Sequence, residues 1–121
     1  MMVPVVKKWK QDLWGKGTWV SLSKGEVGEW SHEVFRGGSD RGKEYVEGWY
    51  ARSWSEGNQY NLAKRANGEW GGTYDYNNEM HRFDTAEEAM KAVKEWWDSP
   101  HTGSRVLHGD YVKTNWKKPN V

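Results

Sequence analysis

Cysteine is absent from this sequence of 121 residues, which excludes disulfides, zinc–thiolate sites and a cysteine nucleophile. Aliphatic residues are few, with hydrophobic residues at 36% and a mean hydropathy of −1.07. Values that low border on the composition of disordered chains, but such chains are poor in aromatics. Here 10 Trp and 6 Tyr point instead to a core built from a few large rings. No apolar run is long enough to cross a bilayer. The stretch from Met1 to Lys8 holds no hydrophobic segment of signal-peptide length. A soluble protein in a reducing, cytoplasmic setting is the expectation. An Asn-x-Ser/Thr acceptor is also lacking.

A strong overall charge is missing too, since the formal net charge is +1. Its distribution is uneven. Lys7, Lys8, Lys10 and Lys16 against Asp12 leave residues 1–16 at +3, and Arg105, Lys113, Lys117 and Lys118 against Asp110 leave residues 105–121 at +3. The intervening body then carries −5. Basic ends of this kind are either solvated tails or an electrostatic footprint for phosphate or an acidic partner.

The length fits a single domain over 1–121. Residues 1–43 read as N-terminal strands followed by a polar Gly-rich loop, Arg36 to Lys43. Residues 44–100 read as three strands plus a helix, and 101–121 as a basic tail with a candidate edge strand. Strands are expected at Thr18–Leu22, Glu29–Phe35, Tyr45–Trp54, Gln59–Ala66 and Glu69–Tyr76, with an edge strand from Arg105–Leu107 and Asp110–Trp116. Asn67-Gly68 is a hairpin signal, because a two-residue type I′ turn needs positive φ at both central positions. Thr85-x-x-Glu88 is a capping box, and Ala86, Ala89, Met90, Val93, Trp96 and Trp97 follow at helical spacing. Pro100 closes a helix of about 86–98. The fold class is α+β: an antiparallel sheet of about five strands with that helix packed on one face.

A two-residue turn sets Arg65 opposite Trp70. Trp70, Tyr74 and Tyr76 then share a face with Arg65, Asn61 and Gln59, while Tyr60, Leu62, Ala66 and Thr73 face the other way. If the helix covers Leu62, the Trp70–Tyr74–Tyr76 row is exposed. A bulge at Gly71-Gly72 would move part of that row across the sheet.

Motifs that carry chemistry are sparse. Gly37 to Glu44 nearly matches a phosphate loop, but Glu44 stands where the magnesium-binding hydroxyl belongs, and a strand rather than a helix follows. His32, His81, His101 and His108 form no metal-ligand pair at helical spacing. The serines lie in no nucleophile elbow. Glu33 and Glu47 each fall in a strand candidate, so a pair such as these could meet across strands, as any two acids in a small sheet could. No catalytic residue, cofactor or metal is expected. The ten tryptophans cannot all be fully buried in a domain this small. Trp49, Trp96 and Trp97 read as core. Trp9, within Lys7-Lys8-Trp9-Lys10, and Trp116, beside Lys117 and Lys118, suit either phosphate contact with stacking or an anchor for an edge strand.

Over residues 45–98, Trp49, Asn67-Gly68 and Phe83-x-Thr85-x-x-Glu88-Ala89 resemble the three-strand-plus-helix, AP2-like arm-binding domain of phage integrases. That resemblance implies a small accessory protein of a phage or mobile element. It also implies DNA contacts at Arg52, Lys64 and Arg65.

The leading expectation is a non-enzymatic binding module that engages a protein partner through Arg65, Trp70, Tyr74 and Tyr76. A nucleic-acid binder using Lys7, Lys8, Trp9, Lys10, Trp116, Lys117 and Lys118 is the alternative, and carbohydrate stacking is a third reading. An exposed aromatic sheet face or open edge strand would equally make a homodimer.

Overall fold

The computed structural model describes residues 9–11, 19–25, 28–38, 43–55, 58–74, 80–98 and 112. They form one antiparallel sheet and one helix. The strands are β1 (Lys10–Gln11), β2 (Trp19–Gly25), β3 (Gly28–Gly37), β4 (Gly48–Ser55), β5 (Asn58–Lys64) and β6 (Trp70–Tyr74), and the helix is α1 (Ala86–Asp98). Each strand pairs with its neighbours in sequence, giving the meander order β1-β2-β3-β4-β5-β6. The expected α+β class, with helix 86–98 on one face, holds; the short β1 is an addition. Of the expected C-terminal edge strand only Val112 is described. It donates its N–H to the Lys64 carbonyl at 2.7 Å. No helix among the described residues is long and apolar enough to cross a membrane.

The helix starts where its cap dictates. Thr85 Oγ1 accepts the Glu88 N–H at 3.1 Å, satisfying one of the orphan donors of the first turn. Glu87 and Glu88 follow in that turn, at the positive end of the dipole. The periodic apolar stripe then meets the sheet. Ala86, Ala89, Ala92, Val93 and Trp96 are buried against Val34 of β3, Ala51 of β4 and Leu62 of β5, with Phe83 beside them. The small residues of α1 let the helix approach closely, and Trp96 fills the remaining depth. Gly72 makes that fit: a Cβ there would stand 3.1 Å from Tyr60 Cβ and 3.2 Å from the Trp96 ring. No bulge interrupts Gly71-Gly72: the ladder runs unbroken, Ala63 to Gly71 and Leu62 to Gly72.

The opposite face is buried as well. Phe35 and Tyr50 are fully enclosed and stack at 5.6 Å between ring centroids, with Tyr45 and Met80 packed on them. Tyr50 O–H donates to the Val46 carbonyl at 2.6 Å, and burial raises its pKa. On the same face Arg52 donates to Glu33 at 2.8 Å, lying 4.3 Å over the Phe35 ring. Asn61 and Thr73 are buried there too. The bare aromatic sheet face expected from the sequence is therefore not present among the described residues.

One departure from a plain meander positions the site. β4 and β5 pair only from Arg52–Asn61 to Ser55–Asn58, next to their turn. Beyond that their other halves diverge, and Met80–Phe83 enters between them. Trp49 and Phe83 exchange two backbone hydrogen bonds at 2.8 Å, and His81 N–H reaches the Leu62 carbonyl at 3.0 Å. Met80 thereby joins the Phe35–Tyr50 cluster, while Phe83 joins the helix-side core.

Candidate functional site

The β5–β6 turn decides which way Trp70 faces. Gly68 N–H donates to the Arg65 carbonyl at 2.9 Å, and Arg65 N–H donates to the Glu69 carbonyl at 2.7 Å. Gly68 has φ +94°, and Asn67 Oδ1 accepts the Glu69 N–H at 3.0 Å. The connection is therefore three residues, Ala66 to Gly68, in the pattern of a tight turn followed by a left-handed glycine. The positive-φ glycine was legible, but the loop is one residue longer than a type I′ turn. Trp70 consequently pairs with Lys64 rather than with Arg65. A one-residue change of register moves a strand's side chains to the other face. Trp70 accordingly lies on the helix side, half-buried, packed against the helix-side core.

There it walls a cleft of about 250 Å³ lined by Lys64, Trp70, His81, Phe83, Glu88, Lys91, Ala92 and Glu95. Three rings form one wall. Trp70 meets His81 edge-on at 5.0 Å and Phe83 at 5.2 Å, and His81 meets Phe83 at 4.7 Å. Glu95 on α1 accepts the Trp70 indole N–H at 3.0 Å, which fixes the ring against the helix. Lys64 Nζ sits 5.5 Å from the Trp70 centroid, within cation–π range. His81 Nδ1 is buried with no hydrogen-bond partner. Burial and then the charge of Lys64 lower the His81 pKa, so the ring is held neutral at neutral pH. With His81 neutral, the lining carries two cations and two carboxylates.

The other sequence candidates are dispersed. Arg65 is half-buried at the end of β5 and is not paired with Trp70. Tyr74 pairs in register with Tyr60, and Tyr76 lies outside the described residues. Trp9 packs against the helix-side core, 6.5 Å from the His32 ring, which is the anchoring arrangement. Lys10 pairs with Val20 in β1, and Lys7, Lys8, Trp116, Lys117 and Lys118 lie outside the described residues. Arg52 and Lys64 occupy opposite faces of the sheet, one against Glu33 and Phe35, the other beside Trp70. Trp49 is half-buried against the core, and Trp96 is 2% exposed.

The carboxylates Glu33 and Glu47 are not brought together. Glu33 is held by Arg52, and Glu47 pairs with Arg36 at the surface at 3.3 Å. Sequence reasoning missed a histidine–serine contact: His32 Nδ1 lies 2.7 Å from Ser53 Oγ. Both residues are buried, with the Trp96 ring edge-on to His32 at 6.4 Å. Burial lowers the His32 pKa to about 4. The pair bridges β3 and β4, where it satisfies two polar groups inside the core. Among the described residues no three His, Asp or Glu side chains are grouped to hold a metal ion.

Comparison of the chain with protein-family models, with curated proteins and with solved structures finds no match.

Proposed function

We propose that the protein is a non-enzymatic binding module that holds a short segment of a protein partner in the cleft between α1 and the β5–β6 hairpin. The observation that carries this reading is Trp70 itself. It stands at a cleft wall with Phe83 and His81, ringed by Lys64, Glu88, Lys91 and Glu95. An aromatic anchor inside a polar rim is the usual anatomy of an interaction hot spot. The cleft, at about 250 Å³, lies below the roughly 300–1,000 Å³ of small-molecule sites. One or two side chains of a peptide fill it.

Two further observations favour binding over catalysis. The Ser53 hydroxyl beside His32 is closed off from substrate by burial. The Glu33 carboxylate is buried against Arg52. Of the two rings that a nucleic-acid reading would use for stacking, Trp9 packs on the core.

The test is to pan a displayed library of random peptides against the immobilised protein and repeat the measurement on Trp70→Phe. Recovered peptides should bind the native protein and lose most of that affinity in the variant. Thermal melts of the two proteins should stay close. Failure to recover any binder, or binders indifferent to both Trp70→Phe and Lys91→Glu, would overturn the reading.

A further inference from the structure

Resting on that reading, we infer that the segment held in the cleft is acidic: its carboxylate meets Lys64 and Lys91 while a neighbouring apolar side chain seats on Trp70. Four charges line the cleft, but they are not equivalent. The Glu95 carboxylate accepts the indole N–H of Trp70. Glu88 sits in the first turn of α1, where the helix dipole stabilises a negative charge. Glu95 is thus already engaged by the indole, and Glu88 lies in the favourable field of the helix start.

The two cations have no such engagement with a carboxylate or hydrogen-bond acceptor among the described residues. Neither Lys64 nor Lys91 lies within 4.0 Å of a carboxylate among the described residues. Lys91 has Glu88 three residues before it and Glu95 four residues after it, spacings at which helical ion pairs form. It pairs with neither, and it is exposed. Lys64 Nζ lies over the Trp70 ring, 5.5 Å from its centroid. Two ammonium groups without a carboxylate partner among the described residues therefore stand beside an aromatic wall, an arrangement that suits a carboxylate flanked by an apolar group.

The experiment compares three labelled peptides that share one Phe and differ only in flanking residues: Glu on both sides, Gln on both sides, or Lys on both sides. Fluorescence anisotropy reads their affinity at low and moderate salt. The acidic peptide should bind tightest and weaken as salt rises. The double variant Lys64→Gln, Lys91→Gln should weaken it by about fivefold, the sum of two exposed ion pairs. Lys43→Gln, at an exposed turn away from the cleft, should change nothing. Lys91→Glu alone is the second variant, since that exposed side chain makes no hydrogen bond or ion pair among the described residues.

Equal or tighter binding of the neutral or basic peptide would overturn the acidic assignment. So would an acid preference that survives the double variant and Lys91→Glu. If peptides from the panning bind and respond to Trp70→Phe but are not acidic, only this inference falls. If no peptide binds at all, the binding-module reading falls with it.

Discussion

Lys64 stands directly opposite Trp70 across the β5–β6 ladder, with its ammonium 5.5 Å from the indole centroid. That pairing follows from the three-residue loop Ala66–Gly68, and with it the indole turns toward α1. Gly68 holds the loop with φ +94°. Gly68→Ala should destabilise the protein by about 1 kcal/mol, because an L side chain is strained there even with open space around it. Deleting Ala66 should be tolerated. It leaves Asn67-Gly68 as a two-residue turn between Arg65 and Glu69 and keeps Lys64 facing Trp70. Denaturant melts, with the Trp70 indole N–H followed by NMR, check both outcomes.

Trp96 and Gly72 are complementary shapes. Gly72→Ala places a methyl 3.2 Å from the Trp96 ring and 3.1 Å from Tyr60 Cβ, which should cost about 1–3 kcal/mol through overpacking. In a Trp96→Phe background the same change should cost less, since the smaller ring leaves room. A double-mutant cycle by urea unfolding measures that coupling. Purely additive losses would show that the two positions do not meet.

The two ion pairs on the sheet should behave differently. Arg52 and Glu33 have side chains 15% and 5% exposed, against 55% and 80% for Arg36 and Glu47. Removing Arg52 leaves a buried carboxylate without its guanidinium and strips the cover from Phe35. Arg52→Ala should therefore cost about 3 kcal/mol or more, whereas Arg36→Ala should cost well under about 1 kcal/mol. Chemical denaturation of the two variants side by side decides this.

Acid should unfold the protein through His32. Its pKa falls from an ordinary 6.5 to about 4 in the folded state, because burial disfavours the imidazolium. The unfolded chain then binds more protons between those values. The stabilisation is complete above about pH 6.5 and is lost as pH falls toward 4, on the order of 3 kcal/mol in all. His32→Gln keeps a polar partner for Ser53 and removes the titration, so the acid limb of a stability-versus-pH curve should flatten. An unchanged limb would place the acid sensitivity elsewhere.

The helix was fully legible in the sequence: a Thr85 cap, a Glu88 three residues on and an apolar stripe at a period of 3.6 leave little freedom. Strand positions were legible from the same kind of local pattern. The facing of Trp70 was not. Asn67-Gly68 is compatible with a two-residue turn and with a three-residue loop that uses only Gly68 at positive φ. That single residue decides which face a whole strand presents. His81 and Phe83 escaped notice because they reach the cleft through tertiary insertion, not through any periodic element. Glu88, Lys91, Ala92 and Glu95 did carry a signal, since they follow one another at i, i+3, i+4 and i+7 along a single stripe of α1. The deep carboxylate of Glu33 and the His32–Ser53 contact depend on cross-strand register, which alternation alone does not supply.

Met80–Phe83 is hydrogen-bonded to both β4 and β5 and runs straight into the cap of α1, so the start of the helix is tied to both strands. Lifting it pulls on the backbone of Trp49 and Leu62, and prising those strands apart releases the start of the helix. The expected behaviour is that of one cooperative unit. The amide protons of Trp49, His81 and Phe83 would then trade with solvent together, at the pace of that unit's opening. Anything lodged beside Trp70 grips both halves of the unit at once and slows all three.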